Sequence, residues 1–215
     1  MRLLISDLDG TLVDTFPDLY ASALLTLEKW KIPPLPLNQS FLKAKAGTSA
    51  WELLYALGGE RIKDLKEEIV PAMIEIYRVR LFQESRPFPG TERWFESFAV
   101  AIVTNKPRPL AEPIVEHFFR GKYVLLLTPE DTGAPKPSPL PYARALQELG
   151  EESALVVGDD RRDYDPCIPL NLPFVVARYG YIKEEEWTGL PPLPGIGTPC
   201  ELLDVAVSMG YLRGG

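Results

Sequence analysis

The sequence predicts an α/β protein, a doubly wound parallel sheet interrupted by an all-helical insertion. Three observations predict it. Five short apolar runs have the length and unbroken hydrophobicity of buried parallel strands. Segments with helical spacing separate most of them. One long stretch, residues 16–86, carries helical patterning and no good strand.

The strand-like runs are Leu3–Ser6, Val100–Thr104, Tyr123–Thr128, Ala154–Val157 and Phe174–Ala177. Helices are expected over Leu110–Phe119 and over Leu140–Leu149, the second ended by Gly150. Sheets of this class bind ligands outside the carboxyl ends of their strands. Asp7, Thr104 and the pair Gly158–Asp159 fall at three such ends. Within the insertion, Tyr20, Leu24 and Leu27 share one helix face. Trp51, Leu53, Leu54 and Leu57 suggest a second helix, stopped by Gly58-Gly59. Ile62, Leu65, Ile69, Met73, Ile76 and Val79 form a longer stripe read as core. The insertion is expected to span 16–86, leaving 1–15 and 87–215 as the core domain. Both joints are short and carry proline or glycine, as the hinges of a lid would.

Composition narrows the function. A chain of 215 residues with net charge −7 argues against nucleic acid as a partner, since a phosphate backbone selects a basic face. No apolar run reaches the ~18 residues of a membrane span. Asp7 and Asp9 interrupt any signal-peptide core. The expectation is a cytoplasmic protein with no membrane partner, its oligomeric state left open. Cys167 and Cys200 are too few for a disulfide framework or a zinc site and read as two buried thiols.

The chemistry is concentrated in four fragments: Asp7-Leu8-Asp9-Gly10-Thr11, Thr104-Asn105-Lys106, Lys136-Pro137, and Gly158-Asp159-Asp160 with Asp163. Carboxylates crowded at the end of an apolar run repel one another, and a bound cation offsets the repulsion. A carboxylate such as Asp7 can attack an electrophile and form a covalent intermediate. A second one at Asp9 can give a proton to a leaving oxygen and take one from water. Gly10 lets backbone approach closely. The Thr104 hydroxyl and the Lys136 ammonium can hold phosphoryl oxygens. Asp159 and Asp163, four apart, complete with Asp7 an all-oxygen site suited to Mg²⁺.

In this order and strand context, the fragments DLDGTLVD, VTNKP, GAPKPSP and VGDDRRD resemble the four motifs of the haloacid dehalogenase superfamily, in its phosphoglycolate-phosphatase-like branch. PFPGT and RYGY are lesser echoes, and the helical insertion stands where that branch carries a small helical cap. The resemblance implies a Rossmann-like core and Mg²⁺-dependent phosphoryl transfer through an aspartyl-phosphate. Asp7 would be nucleophile and metal ligand. Asp9 would be the general acid/base, with its carbonyl on the metal. Thr104 and Lys136 would hold the phosphoryl group, Asn105 would frame its site, Asp159 would ligate the metal and Asp163 would sit beside it. Gly47, in the Ala46-Gly47-Thr48 loop, is either a substrate-reading residue or a plain helix stop.

An aspartate at position 9 favours phosphate esters over carbon–halogen bonds, whose leaving group needs no proton. The expected activity is hydrolysis of a small phosphorylated metabolite, phosphoglycolate leading by resemblance. A β-phosphoglucomutase-like phosphomutase is the nearest alternative. That group tends to have DGV and a Glu-Asp pair where this chain has Gly10-Thr11 and Gly158-Asp159. A non-catalytic phosphometabolite-binding protein on the same fold is the other. Asp160 reads as an extra charge near the metal or as a cap. Lys106 and Arg108 read as surface charges or phosphate-steering groups, and Arg78 and Arg80 as a solvated face. His117 reads as a helix C-terminal charge or a packed ring. After Asp163, Asp165 is expected to cap a short turn with Pro166 at its first position, limited by Pro169.

Overall fold

The computed structural model of the chain describes residues 1–46, 49–181 and 184–213. It divides into two compact units, Met1–Val13 with Pro87–Gly215, and Asp14–Arg86. The first crossing thus lies two residues before the expected joint. Gly47 lies outside the described residues.

The larger unit is built on strand β1, Arg2–Ser6, and the chain leaves it through the two-residue strand β2, Val13–Asp14. The insertion follows: α1 Phe16–Lys29, α2 Gln39–Ala46, α3 Ala50–Gly58, a 3₁₀ turn Gly59–Leu65, and α4 Lys66–Arg78. Helix α3 starts where the Ser49 hydroxyl accepts the Glu52 N–H at 3.1 Å and stops at Gly59, whose φ is 62°. The expected single stripe from Ile62 to Val79 is broken between the 3₁₀ turn and α4. Ile62, Ile69, Met73 and Tyr77 are buried, while Val79 is 77% exposed. Within α4 the buried residues recur every fourth position, so Tyr77 replaces Ile76 on the inner face.

Asp18 was not singled out by the sequence, yet it is fully buried in α1. Its carboxylate accepts the N–H groups of Glu84 and Ser85 and the Ser85 hydroxyl at 2.8–3.1 Å. Arg80, expected on a solvated face, turns inward instead: its guanidinium lies 3.8 Å from Asp18 and its side chain is 18% exposed. A buried carboxylate needs such partners, and here they tie the insertion's last residues to its first helix.

Strand β3, Arg86–Pro87, returns the chain to the larger unit. There follow α5 Glu92–Ser97, β4 Phe98–Val103, α6 Arg108–Phe119, β5 Leu125–Leu127, α7 Pro129–Thr132, α8 Leu140–Leu149 and β6 Leu155–Gly158. Two four-residue helices come next, α9 Arg161–Tyr164 and α10 Cys167–Leu170, then β7 Phe174–Ala177, β8 Gly195–Ile196 and α11 Leu202–Ser208. Pro166 stands at the N-cap of α10, one position earlier than expected, and Asn171 in the left-handed region ends it.

The main sheet runs β5-β4-β1-β6-β7-β8, every neighbouring pair parallel. Strand β8 was not expected, because two residues inside a Pro- and Gly-rich run carry no hydrophobic pattern. The chain builds outward from β1 on one side and then crosses to the other, so β1 lies at the topological switch point. In register, Ser6 pairs with both Ile102 and Val157. Asp7, Thr104 and Asp159 therefore emerge together beyond neighbouring strand ends. Leu3, Ile5, Val103, Val156 and Val176 pack with Tyr142 and Phe174 into a core beneath them. Cys167 is buried and Cys200 is exposed, so only one thiol fits the expected reading.

Replacing Asp18 by Ala leaves the Glu84 and Ser85 donors without their acceptor. We expect a loss of about 2–4 kcal/mol of unfolding free energy in urea denaturation.

Candidate active site

Asp7 follows β1 directly, and its N–H continues the ladder to Val157 O at 3.1 Å. The Lys136 ammonium donates to Asp7 Oδ1 at 2.7 Å, to Val103 O at 2.7 Å and to Asp163 Oδ1 at 2.6 Å. An ammonium has three protons, and here each has an acceptor. Lys136 is 3% exposed, and its loop is held by Asn105. The Asn105 side chain donates to Lys136 O and accepts from Lys136 N, both at 2.8 Å. The amide expected to frame a phosphate is therefore committed to the lysine's backbone. Buried Thr104 turns its Oγ1 back to accept the Lys106 N–H at 3.1 Å.

Asp159 stands beyond β6 with both oxygens engaged. Oδ1 accepts the Thr11 hydroxyl at 2.9 Å, and Oδ2 accepts the Tyr181 N–H at 2.6 Å. The Tyr179 hydroxyl donates to Thr11 O at 2.8 Å, so the segment after β7 braces both the first motif and Asp159. Glycine makes this closeness possible. Gly10 has φ 88°, and a Cβ there would overlap the Asp159 carboxylate. A Cβ on Gly180 would overlap Gly10 O and Asp159.

Asp160 is the N-cap of α9. Its Oδ1 accepts the Arg162 N–H at 2.8 Å, and its carboxylate pairs with the Arg162 guanidinium. Its own N–H bonds Asp163 Oδ2 at 3.0 Å, closing a capping box. The Asp163 carboxylate is thus shared between Lys136 and the start of α9. Single carboxylate oxygens of Asp7, Asp159 and Asp163 all lie within 4.8 Å of one another. Three hard anionic oxygens at that separation, all on buried residues, fit a divalent cation such as Mg²⁺.

The electrostatics agree with that fit. Burial pushes the Asp7 carboxyl up to about 7, and the Asp163 and Asp9 charges add to the rise although Lys136 opposes it. Burial and the charges of Asp7 and Asp163 likewise hold Asp159 well above the usual carboxylate range, against the Tyr181 N–H and the Thr11 hydroxyl. Burial alone would lower Lys136, but the Asp163 and Asp7 charges outweigh it and hold the ammonium above its ordinary value. Ionised together, these carboxylates would carry more negative charge than one lysine balances, the condition a cation relieves.

Asp9 stands apart from the three-carboxylate group. Its Oδ1 accepts from the Lys106 ammonium at 2.8 Å, and Lys106 is only 7% exposed at its side chain. Lys106 is therefore not a surface charge. Arg108 bonds instead to Asp131 and Glu112. His117 lies in the last turn of α6, its ring edge-on to Phe118 at 4.7 Å. The sequence placed Thr11 in the first fragment without a role of its own, and Tyr179, Gly180 and the Tyr181 N–H only in the RYGY echo, a glycine between two aromatics just past a buried strand.

A family model for haloacid dehalogenase-like hydrolases matches residues 4–177. The chain is similar to the phosphoglycolate phosphatase of Neisseria gonorrhoeae, at 32% identity over 188 residues covering 81% of this chain and 79% of that protein. It is similar to the N-acetylmuramic acid 6-phosphate phosphatase of Pseudomonas aeruginosa, at 27% identity with 95% and 94% covered. Its fold is similar to that of a predicted phosphoglycolate phosphatase from Haemophilus somnus, with a TM-score of 0.80, 22% identity, and 96% and 98% of the two chains covered. Three motifs at adjoining strand ends, a fourth on the loop between α7 and α8, and a family match across most of the sequence lead to one conclusion: this chain belongs to the haloacid dehalogenase-like hydrolase family, on its phosphatase side.

Proposed function

We propose that this chain hydrolyses the phosphate ester of a small metabolite, with Mg²⁺, through an aspartyl-phosphate on Asp7. The observation that carries the reading is Asp7 itself. It is a buried carboxylate at the sheet's switch point, bonded by Lys136 at 2.7 Å and grouped with Asp159 and Asp163. The Asp7 carboxylate attacks phosphorus while Asp9 protonates the departing oxygen. Water then attacks the aspartyl-phosphate, Asp9 takes its proton, and Asp7 is regenerated. Thr104 and Lys136 hold the phosphoryl oxygens. Asp7, Asp159, Asp163 and the carbonyl of Asp9 would hold the metal, which when bound neutralises charge developing on the transferring group. Relatives named for phosphoglycolate and for N-acetylmuramic acid 6-phosphate support a small phosphorylated substrate, phosphoglycolate first.

Phosphate release from a panel of small esters, phosphoglycolate included, tests the reading. We expect release with Mg²⁺ and none with EDTA. Asp7→Asn should lower turnover by at least about a thousandfold while the fold survives. Full activity in that variant, or transfer to a second hydroxyl of the same sugar with little free phosphate, would replace hydrolysis by another chemistry.

Thr11→Val removes a donor from Asp159 at nearly constant shape. Because groups behind a ligand orient it, Mg²⁺ binding measured by calorimetry should weaken by about tenfold, and Thr11→Ser should restore it.

Without metal, folded Asp7 keeps a proton up to a pH of about 7, whereas its unperturbed value is 3.8. Its contribution to stability is complete below about 4 and is lost as the pH rises through about 7. Melting of the EDTA-treated protein should therefore occur at lower temperature at pH 8 than at pH 5. Asp7→Asn should flatten that dependence.

A further inference from the structure

Lys106 lies two residues past Thr104, between the end of β4 and the start of α6. Its backbone is held by the N–H bond to Thr104 Oγ1 at 3.1 Å, and its ammonium reaches Asp9 Oδ1 at 2.8 Å. The two lysines of the site divide its carboxylates. Lys136 bonds Asp7 and Asp163, and Lys106 bonds Asp9. The Lys106 side chain is 7% exposed and that of Asp9 19%, so water competes weakly for this ion pair.

We propose that Lys106 is a positioning residue for Asp9. Its ammonium fixes the orientation of the carboxylate that takes a proton from water when the aspartyl-phosphate is hydrolysed. In that step a water oxygen bonds to phosphorus. The bond from phosphorus to the Asp7 oxygen breaks, its electron pair returning to Asp7, and the water proton passes to Asp9. A general base works only within hydrogen-bond reach of the proton it takes, and a carboxylate turns about a single bond unless something holds it. The inference rests on the hydrolytic reading above.

The test separates the two half-reactions. With an aryl phosphate whose phenolate leaves without a proton, forming the aspartyl-phosphate needs no acid, and Asp9 is needed only for its breakdown. Phenolate release is timed in the wild type, Lys106→Met, Asp9→Asn and the double variant. Lys106→Met should give a burst approaching one phenolate per enzyme, then turnover slowed about ten- to a hundredfold. In the Asp9→Asn background it should add less than about a twofold effect, because a residue acting through another has nothing left to act on. Lys106→Arg should show the same split in smaller measure, and it carries the test if Lys106→Met does not fold. Equal slowing of the wild type and of Asp9→Asn by Lys106→Met would overturn the proposal. So would slowing of the burst together with turnover. A wild type that releases phosphate from no ester would instead overturn the hydrolytic reading, and this inference with it.

Discussion

Asp7, Asp159 and Asp163 are gathered beyond the ends of two neighbouring parallel strands, where burial strips them of water and each charge raises the free energy of the next. The surrounding structure reads as a response to that repulsion. Lys136 spends all three protons on Asp7, Asp163 and a strand carbonyl. Thr11 and the Tyr181 N–H take both oxygens of Asp159. Even with these donors, one oxygen from each of Asp7, Asp159 and Asp163 lies within 4.8 Å of the other two, a set suited to a hard cation. Stability has been given up at the place where chemistry needs charge, and the sheet beneath supplies the burial that makes the arrangement rigid.

Topology delivers these groups without long loops. Because β1 is flanked by β4 and β6, the residues just past three neighbouring strands emerge at one edge of the sheet, and oxygens of Asp7, Asp159 and Asp163 come within 4.8 Å of one another. Convergence that close leaves little room for side chains, and glycine fills the tightest points. Gly10 adopts a left-handed φ of 88° against Asp159, and Gly158 lies so close to Asp163 that a Cβ would overlap it. These glycines therefore set how near the carboxylates stand, and so how strongly they would hold a cation.

The strand runs were legible because a strand buried on both faces must be apolar throughout, and Phe174–Ala177 has the expected limits; helix Leu140–Leu149 has them too, its end marked by Gly150. The shared placing of Asp7, Thr104 and Asp159 was legible because strand ends in this class of sheet share one edge, whereas Lys136, on a loop between two helices, was legible only through the resemblance of GAPKPSP to a family motif. Other features were hidden for physical reasons. Two-residue β8 is defined by its partner β7 and not by its own pattern. Asp18 looks like any acid at a helix start until backbone donors 66 and 67 residues away close on it. The Tyr181 contact is made by a backbone N–H, which every non-proline residue carries and no sequence distinguishes. Lys106 was ambiguous because direction, not residue type, decides whether a lysine faces solvent or a neighbour.

Thr104, Asn105 and Lys106 show how few residues are needed to couple the parts of such a site. Successive side chains past a strand point to different sides, so three consecutive residues can reach three different places. Thr104 closes its own turn, Asn105 holds the loop that carries Lys136, and Lys106 reaches across to Asp9. An amide suits the middle position because it donates and accepts at once, and both functions are used on the Lys136 backbone. The lysine that bonds Asp7 and the lysine that bonds Asp9 are thereby tied to the end of one strand. A shift of β4 would move both together, so the places of the two ammonium groups against Asp7 and Asp9 are set by the sheet and not by the loops.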